Sequence, residues 1–201
     1  MAREFLRTLL TKSVRDAQQH YYGRGYPAQG DTSRPEPLTE DEVQFAAERD
    51  SFYLATIGES GWPYVQHRGG PRGFLRATSD QHLVFADYGG NRQLISVGSL
   101  AHDPRVCLFL MDYAQRARLK ILGRAEVLDA RTHPDLVAAS APPSGHAAPP
   151  ERVIRIEVHS YDWNCPKFIT PRFTAEEFEA AVAPLRARIA ELEAKERQRS
   201  N

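Results

Sequence analysis

Several features that would place this chain at once are scarce or missing. There are two cysteines in 201 residues, Cys107 and Cys165. They fit no zinc spacing and support no disulfide framework, so a stapled scaffold is excluded and a reducing, cytoplasmic setting is expected. Neither sign of charge is in excess, with 26 basic and 26 acidic side chains, and that balance removes any sequence-wide pull toward nucleic acid or anionic lipid. No apolar run approaches the roughly 18 to 20 residues of a membrane span, and "MAREFLRTLLTKSVRDAQ" has no uninterrupted stretch suited to a signal peptide. His20, His102, His133, His146 and His159 show no ligand spacing, so no metal site is expected.

What remains is enough for one core with helical extensions. Phe5, Leu6, Leu9, Leu10 and Val14 recur at helical spacing and predict an opening helix, followed by the turn-rich linker "GRGYPAQGDTSRPEP". Thr39 with Glu42 three residues on is a capping-box pattern, predicting a short helix over about residues 40 to 50. From Phe52 the runs "FYLATI", "WPYVQHR", "FLRAT", "HLVFA", "RVCLFLM", "LKILGRAEVL" and "RVIRIEVHSY" are β-branched or aromatic and separated by turn signals. Short strands at that density predict an antiparallel barrel or sandwich. After them, a second capping-box pattern, Thr174 to Glu177, and Phe178, Val182, Leu185, Ile189 and Leu192 predict a long amphipathic helix that Pro184 should kink or split. The expected division is residues 1–38 as helix and linker, 39–172 as the barrel domain, and 173–201 as the closing helix.

Three stretches carry chemistry. In "FADYGGNRQLISVGSL" a strand runs into Gly89-Gly90, and Asn91 is placed to cap a helix. Free amides at a helix start attract anions, and Arg92 could clamp a phosphate bidentately. The stretch is neither a Walker loop nor a dinucleotide fingerprint. "PYVQHRGGPRGF" brings Gln66, His67 and Arg68 to a strand end, and "RARLKILG" alternates Arg116, Arg118 and Lys120 along one strand face. Together these predict a site for a phosphorylated ligand.

On these residues the sequence resembles the pyridoxamine 5′-phosphate oxidase-like family of flavin-binding split barrels, over about residues 40 to 172. The resemblance implies a mainly β (α+β) fold, a six-stranded antiparallel split β-barrel with flanking helices. It also implies a homodimer with two FMN sites built from both chains. Carried over by position, the strand after Gly61-Trp62-Pro63 offers Gln66, His67, Arg68 and Gly69 to the flavin, and Ala86 and Asp87 close the next strand beside it. Asn91, Arg92 and Gln93 occupy the places of the Ser-Arg-Lys triplet that holds the FMN phosphate in the oxidases. Gln93 lacks the lysine's charge, which Lys120 or Arg118 could make good across the dimer. Arg118 falls near the flavin ring, and Trp163, Asn164 and Cys165 are further candidates for its surroundings. The oxidases' Arg-Leu-x-Pro substrate string has no counterpart, so oxidation of pyridoxamine phosphate itself is not implied.

Two functions from different classes follow from the resemblance. One is an FMN-dependent oxidoreductase acting on a small molecule. The other is a non-catalytic split-barrel protein that holds flavin or haem, and a deazaflavin in the same cleft is a further variant.

Overall fold

A computed structural model of the chain describes residues 3–27, 35–142, 148–163 and 166–199. It divides into two compact units, one of residues 1–111 and 118–165, the other of 112–117 and 166–201. In the first unit helices α1 (Arg3–Leu9), α2 (Lys12–Tyr22) and α3 (Glu40–Ala47) precede strands β1 (Ser51–Ile57), β2 (Pro63–Gly69), β3 (Arg76–Ser79) and β4 (His82–Asp87). Helix α4 (Ile95–His102), strands β5 (Arg105–Asp112) and β6 (Ala117–Asp129), helix α5 (Pro134–Ser140) and strand β7 (Arg152–Trp163) follow. The opening helix is thus two helices, not one. Thr11 is extended, with φ −66° and ψ 171°, and Leu10 at the break is buried.

The strands form one sheet in the order β2-β1-β5-β6-β7-β4-β3. Seven strands stand where six were expected, because the four-residue β3 pairs with β4 as a short edge. Alternation decides what each strand buries. On β1, Phe52, Leu54 and Thr56 are buried while their neighbours are partly or fully exposed. β4 is apolar at consecutive positions, Leu83, Val84 and Phe85, because α5 packs against it on the side away from the core. The sheet curls on itself into the barrel. β2 and β4 stand near opposite ends of the strand order, yet Arg68 of β2 and Asp87 of β4 form an ion pair at 2.7 Å. Inside, the Phe52 ring stacks on Phe74 at 5.7 Å and meets Phe85 edge-on at 5.4 Å.

The long β6 pairs with β7 through a register shift between Leu122 and Gly123. Gly123 is required there, since a Cβ would lie 2.6 Å from the Glu157 carbonyl oxygen. Among the described residues no helix is long and apolar enough to cross a membrane.

Glu42 ties α3 to the barrel. Its Oε2 accepts from the Thr39 amide at 2.9 Å and from the Thr39 hydroxyl, and its Oε1 accepts from the Trp163 indole. Burial pushes its pKa up, but the hydrogen bonds from Thr39 and Trp163 outweigh burial and hold it below the usual carboxylate range. A carboxyl lowered on folding stabilises above its unfolded pKa, and the contribution is lost as pH falls through the folded value. Acid unfolding of Glu42→Gln should therefore show a shallower loss of stability below about pH 4.5 than wild type. Parallel profiles in urea unfolding at pH 3 to 6 would contradict this.

In the second unit, α6 (Ala175–Arg199) runs unbroken through Pro184, so the expected split does not occur. Proline removes one backbone bond from a helix of 25 residues, whose other turns continue on both sides of it. The capping box is present: Glu177 accepts from the Thr174 amide at 2.8 Å, and the Glu177 amide donates to the Thr174 hydroxyl at 3.1 Å.

Candidate functional site

β2 differs from the other strands in what it turns inward. Tyr64, Gln66 and Arg68 are partly buried, while Val65, His67 and Gly69 alternate with them on the exposed face. An inward polar row requires partners, and two elements supply them. Ser96, buried in the first turn of α4, donates its hydroxyl to the Gln66 side-chain oxygen at 2.7 Å. Asp87, the last residue of β4, accepts from Arg68 at 2.7 Å on one carboxylate oxygen and from the Nε of Arg152 at 2.8 Å on the other. Arg152 reaches it because it opens β7 directly opposite Asp87 in the β4–β7 register. A second ion pair links Arg152 to Glu151 at 2.9 Å.

The segment from Tyr88 to Leu94 closes the site. Asn91 makes a local turn, its side-chain oxygen accepting from the Gln93 amide at 3.1 Å and its NH2 donating to the Gln93 side chain at 3.2 Å. Arg92 and Leu94 are left-handed, at φ 59° and 53°. Such conformations cost about 1 to 3 kcal/mol each and gather at functional sites. Asn91 is therefore not the helix cap it was expected to be. Its side chain is used within the turn, Leu94 holds the cap position, and α4 starts at Ile95. Gly89 lies against Glu151, whose carboxylate would be 2.7 Å from an added Cβ.

Together these residues line an open cleft of about 500 Å³, from Tyr64, Gln66 and Arg68 through Asp87 and residues 90–97 to Glu151 and Arg152. That volume suits a small ligand. Arg68, Arg92 and Arg152 line the cleft together with two carboxylates, and the first turn of α4 adds the positive end of its dipole. Arg68 and Arg152 are largely buried, with side chains 15% and 19% exposed, so their charges are weakly screened. Burial disfavours charge on Arg152, yet Asp87 and Glu151 outweigh it and raise its pKa. Among the described residues the buried Nε of Arg68 has no hydrogen-bond partner. Burial also raises the pKa of the Tyr88 phenol at the cleft wall. A second groove of about 570 Å³ has mainly apolar walls, among them Leu9, Ala55, Ile57, Val106 and Leu122, with Arg105, Arg124 and His159 also lining it.

Of the residues singled out in the sequence, the fold brings Gln66, Arg68, Asp87, Asn91, Arg92 and Gln93 to this cleft. Among the described residues it does not bring the others. His67 lies on the outer face of β2, edge-on to Tyr53 at 5.7 Å, and Gly69 alternates with it. Ala86 does not line the cleft, because alternation sets it on the face opposite Asp87. The basic stripe shortens to two residues, since Arg116 lies before β6 in a left-handed conformation, φ 54°. Arg118 lies over the Phe109 ring at 5.8 Å, its buried Nε without a hydrogen-bond partner among the described residues. Lys120 pairs with Asp162 at 3.0 Å and sits over Phe5 at 4.5 Å. Trp163 is taken up by Glu42 and by the Phe45 ring at 4.7 Å. Asn164 and Cys165 lie outside the described residues. Burial pushes the Cys107 thiol up, with Lys120 offsetting part of the effect, which disfavours the reactive thiolate. Among the described residues no three His, Cys, Asp or Glu side chains are grouped to hold a metal.

Arg152, Glu151, Tyr64, Tyr88 and Ser96 are site residues that sequence reasoning missed. Only strand register could have pointed to Arg152, through its place opposite Asp87.

The sequence profile of the pyridoxamine 5′-phosphate oxidase family matches residues 38–164. No curated protein sequence matches the chain. Among solved structures, HupZ of Group A Streptococcus superposes with a TM-score of 0.50 at 12% identity, covering 68% of this chain and 100% of that one. Rv2991 of Mycobacterium tuberculosis gives a TM-score of 0.48 at 16% identity, covering 71% of this chain and 97% of that one. An FMN-binding protein of Syntrophomonas wolfei gives 0.43 at 9% identity, covering 63% and 88%. The likeness to HupZ is one of fold. The profile match leaves α1, α2 and α6 outside it.

Proposed function

Because this chain belongs to the pyridoxamine 5′-phosphate oxidase family, we propose that it binds FMN as a homodimer and works as an FMN-dependent oxidoreductase on a small organic molecule. The observation that carries the reading is the convergence of Arg68, Arg92 and Arg152 with the first turn of α4 on one cleft. A phosphate monoester fits that donor set. Guanidiniums bind its oxygens bidentately, and helix-start amides add further donors.

When bound, the isoalloxazine ring supplies the redox chemistry. The chain's residues bind and orient it. Ser96 fixes the Gln66 amide with its oxygen toward α4. Neither Arg118 nor Lys120 lines the cleft, so in the proposed dimer Arg118 would reach the flavin from the partner chain. A cation such as Arg118, if it lay near the bound ring, would favour negative charge on the reduced flavin and raise its potential.

Arg92→Ala should weaken FMN binding by about 1.5 to 3 kcal/mol, the worth of charge-assisted hydrogen bonds. Titration of the purified full chain, followed by quenching of flavin fluorescence, measures this directly. Unchanged affinity would remove Arg92 from the phosphate site. Oxidised-flavin absorbance in the purified protein supports the reading, whereas a Soret band would favour the haem-holding alternative. Colourless protein that takes up no added FMN would refute the FMN assignment.

A further inference from the structure

On the reading that this cleft receives the FMN phosphate, we propose that Arg68 and Arg152, braced by the Asp87 they share, form the second cationic half of the phosphate clamp. Gln93 cannot supply that charge. It is neutral, and both its backbone and its side chain are engaged with Asn91. Lys120 is committed to Asp162 and to the Phe5 ring within its own chain.

The geometry of Asp87 is that of a positioning residue. Each of its oxygens takes one guanidinium, Arg68 through a terminal nitrogen at 2.7 Å and Arg152 through Nε at 2.8 Å. A guanidinium carries five N–H donors in a fixed plane, so a single contact to Asp87 orients the group and leaves most of its donors for a ligand. For Arg68 the contact uses one terminal nitrogen, so its other terminal N–H groups remain for a ligand. The Asp87 side chain is 9% exposed, so the charges stand in a poorly solvated wall where a fixed dipole or ion acts strongly. Glu151 tempers the site from the rim. It pairs with Arg152 at 2.9 Å, lies against Gly89 and is itself half exposed.

A purely structural bridge from β2 to β4 and β7 would affect any flavin alike. A phosphate clamp acts only on flavin that carries phosphate. The test therefore compares FMN with riboflavin, each titrated into the full chain by fluorescence quenching. Wild type should prefer FMN. Arg152→Gln should lower FMN affinity by roughly 10- to 100-fold while riboflavin affinity stays unchanged, and Arg152→Lys should restore part of the loss. Glu151→Gln, at an exposed position that leaves the Asp87 bridge intact, should raise the preference for FMN by about threefold, and it decides the matter if Arg152→Gln does not fold. Equal losses for both flavins, or an unchanged preference in the Arg152 and Glu151 variants of a protein that does prefer FMN, would overturn this inference alone. Wild type that binds FMN no better than riboflavin would overturn the phosphate assignment of the cleft and the clamp with it.

Discussion

Phe52→Ala is expected to destabilise the folded chain by about 3 to 5 kcal/mol, the range for truncating a buried aromatic without collapse of the site. Phe52 is 1% exposed and lies between Phe74 and Phe85, so its ring joins the β1–β2 hairpin to β4 across the barrel interior. The consequence extends to the cleft, because the Arg68 guanidinium rests over the Phe85 ring at 5.7 Å. Losing Phe52 lets Phe85 shift, and Arg68 and Asp87 shift with it. Urea unfolding measures the stability loss, and FMN titration of the folded fraction should show weakened binding as well. A loss below about 1 kcal/mol would mean that the ring is not the barrel's internal keystone.

Asp87→Ala is expected to cost about 3 kcal/mol, the lower end for breaking a buried ion pair, since both guanidiniums retain some solvent contact. The cause is electrostatic. Asp87 is the shared acceptor of Arg68 and Arg152, and its removal leaves two positive charges facing each other in a weakly solvated wall. Double-mutant comparison with Arg68→Met and Asp87→Ala separates this repulsion from lost packing: the second substitution should cost much less once the first is present. Strict additivity would contradict the coupling.

How much of this was legible in the sequence differs from element to element. The strand runs from Phe52 onward and the Thr39–Glu42 and Thr174–Glu177 boxes were readable, because alternation and capping are local properties. The cleft residues Gln66, Arg68, Asp87, Asn91, Arg92 and Gln93 were readable for a similar reason, since they fall on two short strings that end strands. Period two also tells that His67 leaves this cleft, for it stands between Gln66 and Arg68 and points the other way. The late start of α4 was not readable, since left-handed Arg92 and Leu94 have no mark in residue preference. The contacts of Arg152 and Trp163 were hidden by distance along the chain. Arg152 meets Asp87 across 65 residues, and Trp163 meets Glu42 across 121. Only the register of β7 creates those contacts.

A crystal structure of the full chain loaded with FMN tests the central claim most directly. The phosphate should lie within hydrogen-bond reach of Arg92 and the first-turn amides of α4, with Arg68 and Arg152 behind it and a second chain covering the flavin ring. A phosphate bound elsewhere, with the three arginines turned only onto Asp87 and Glu151, would contradict it.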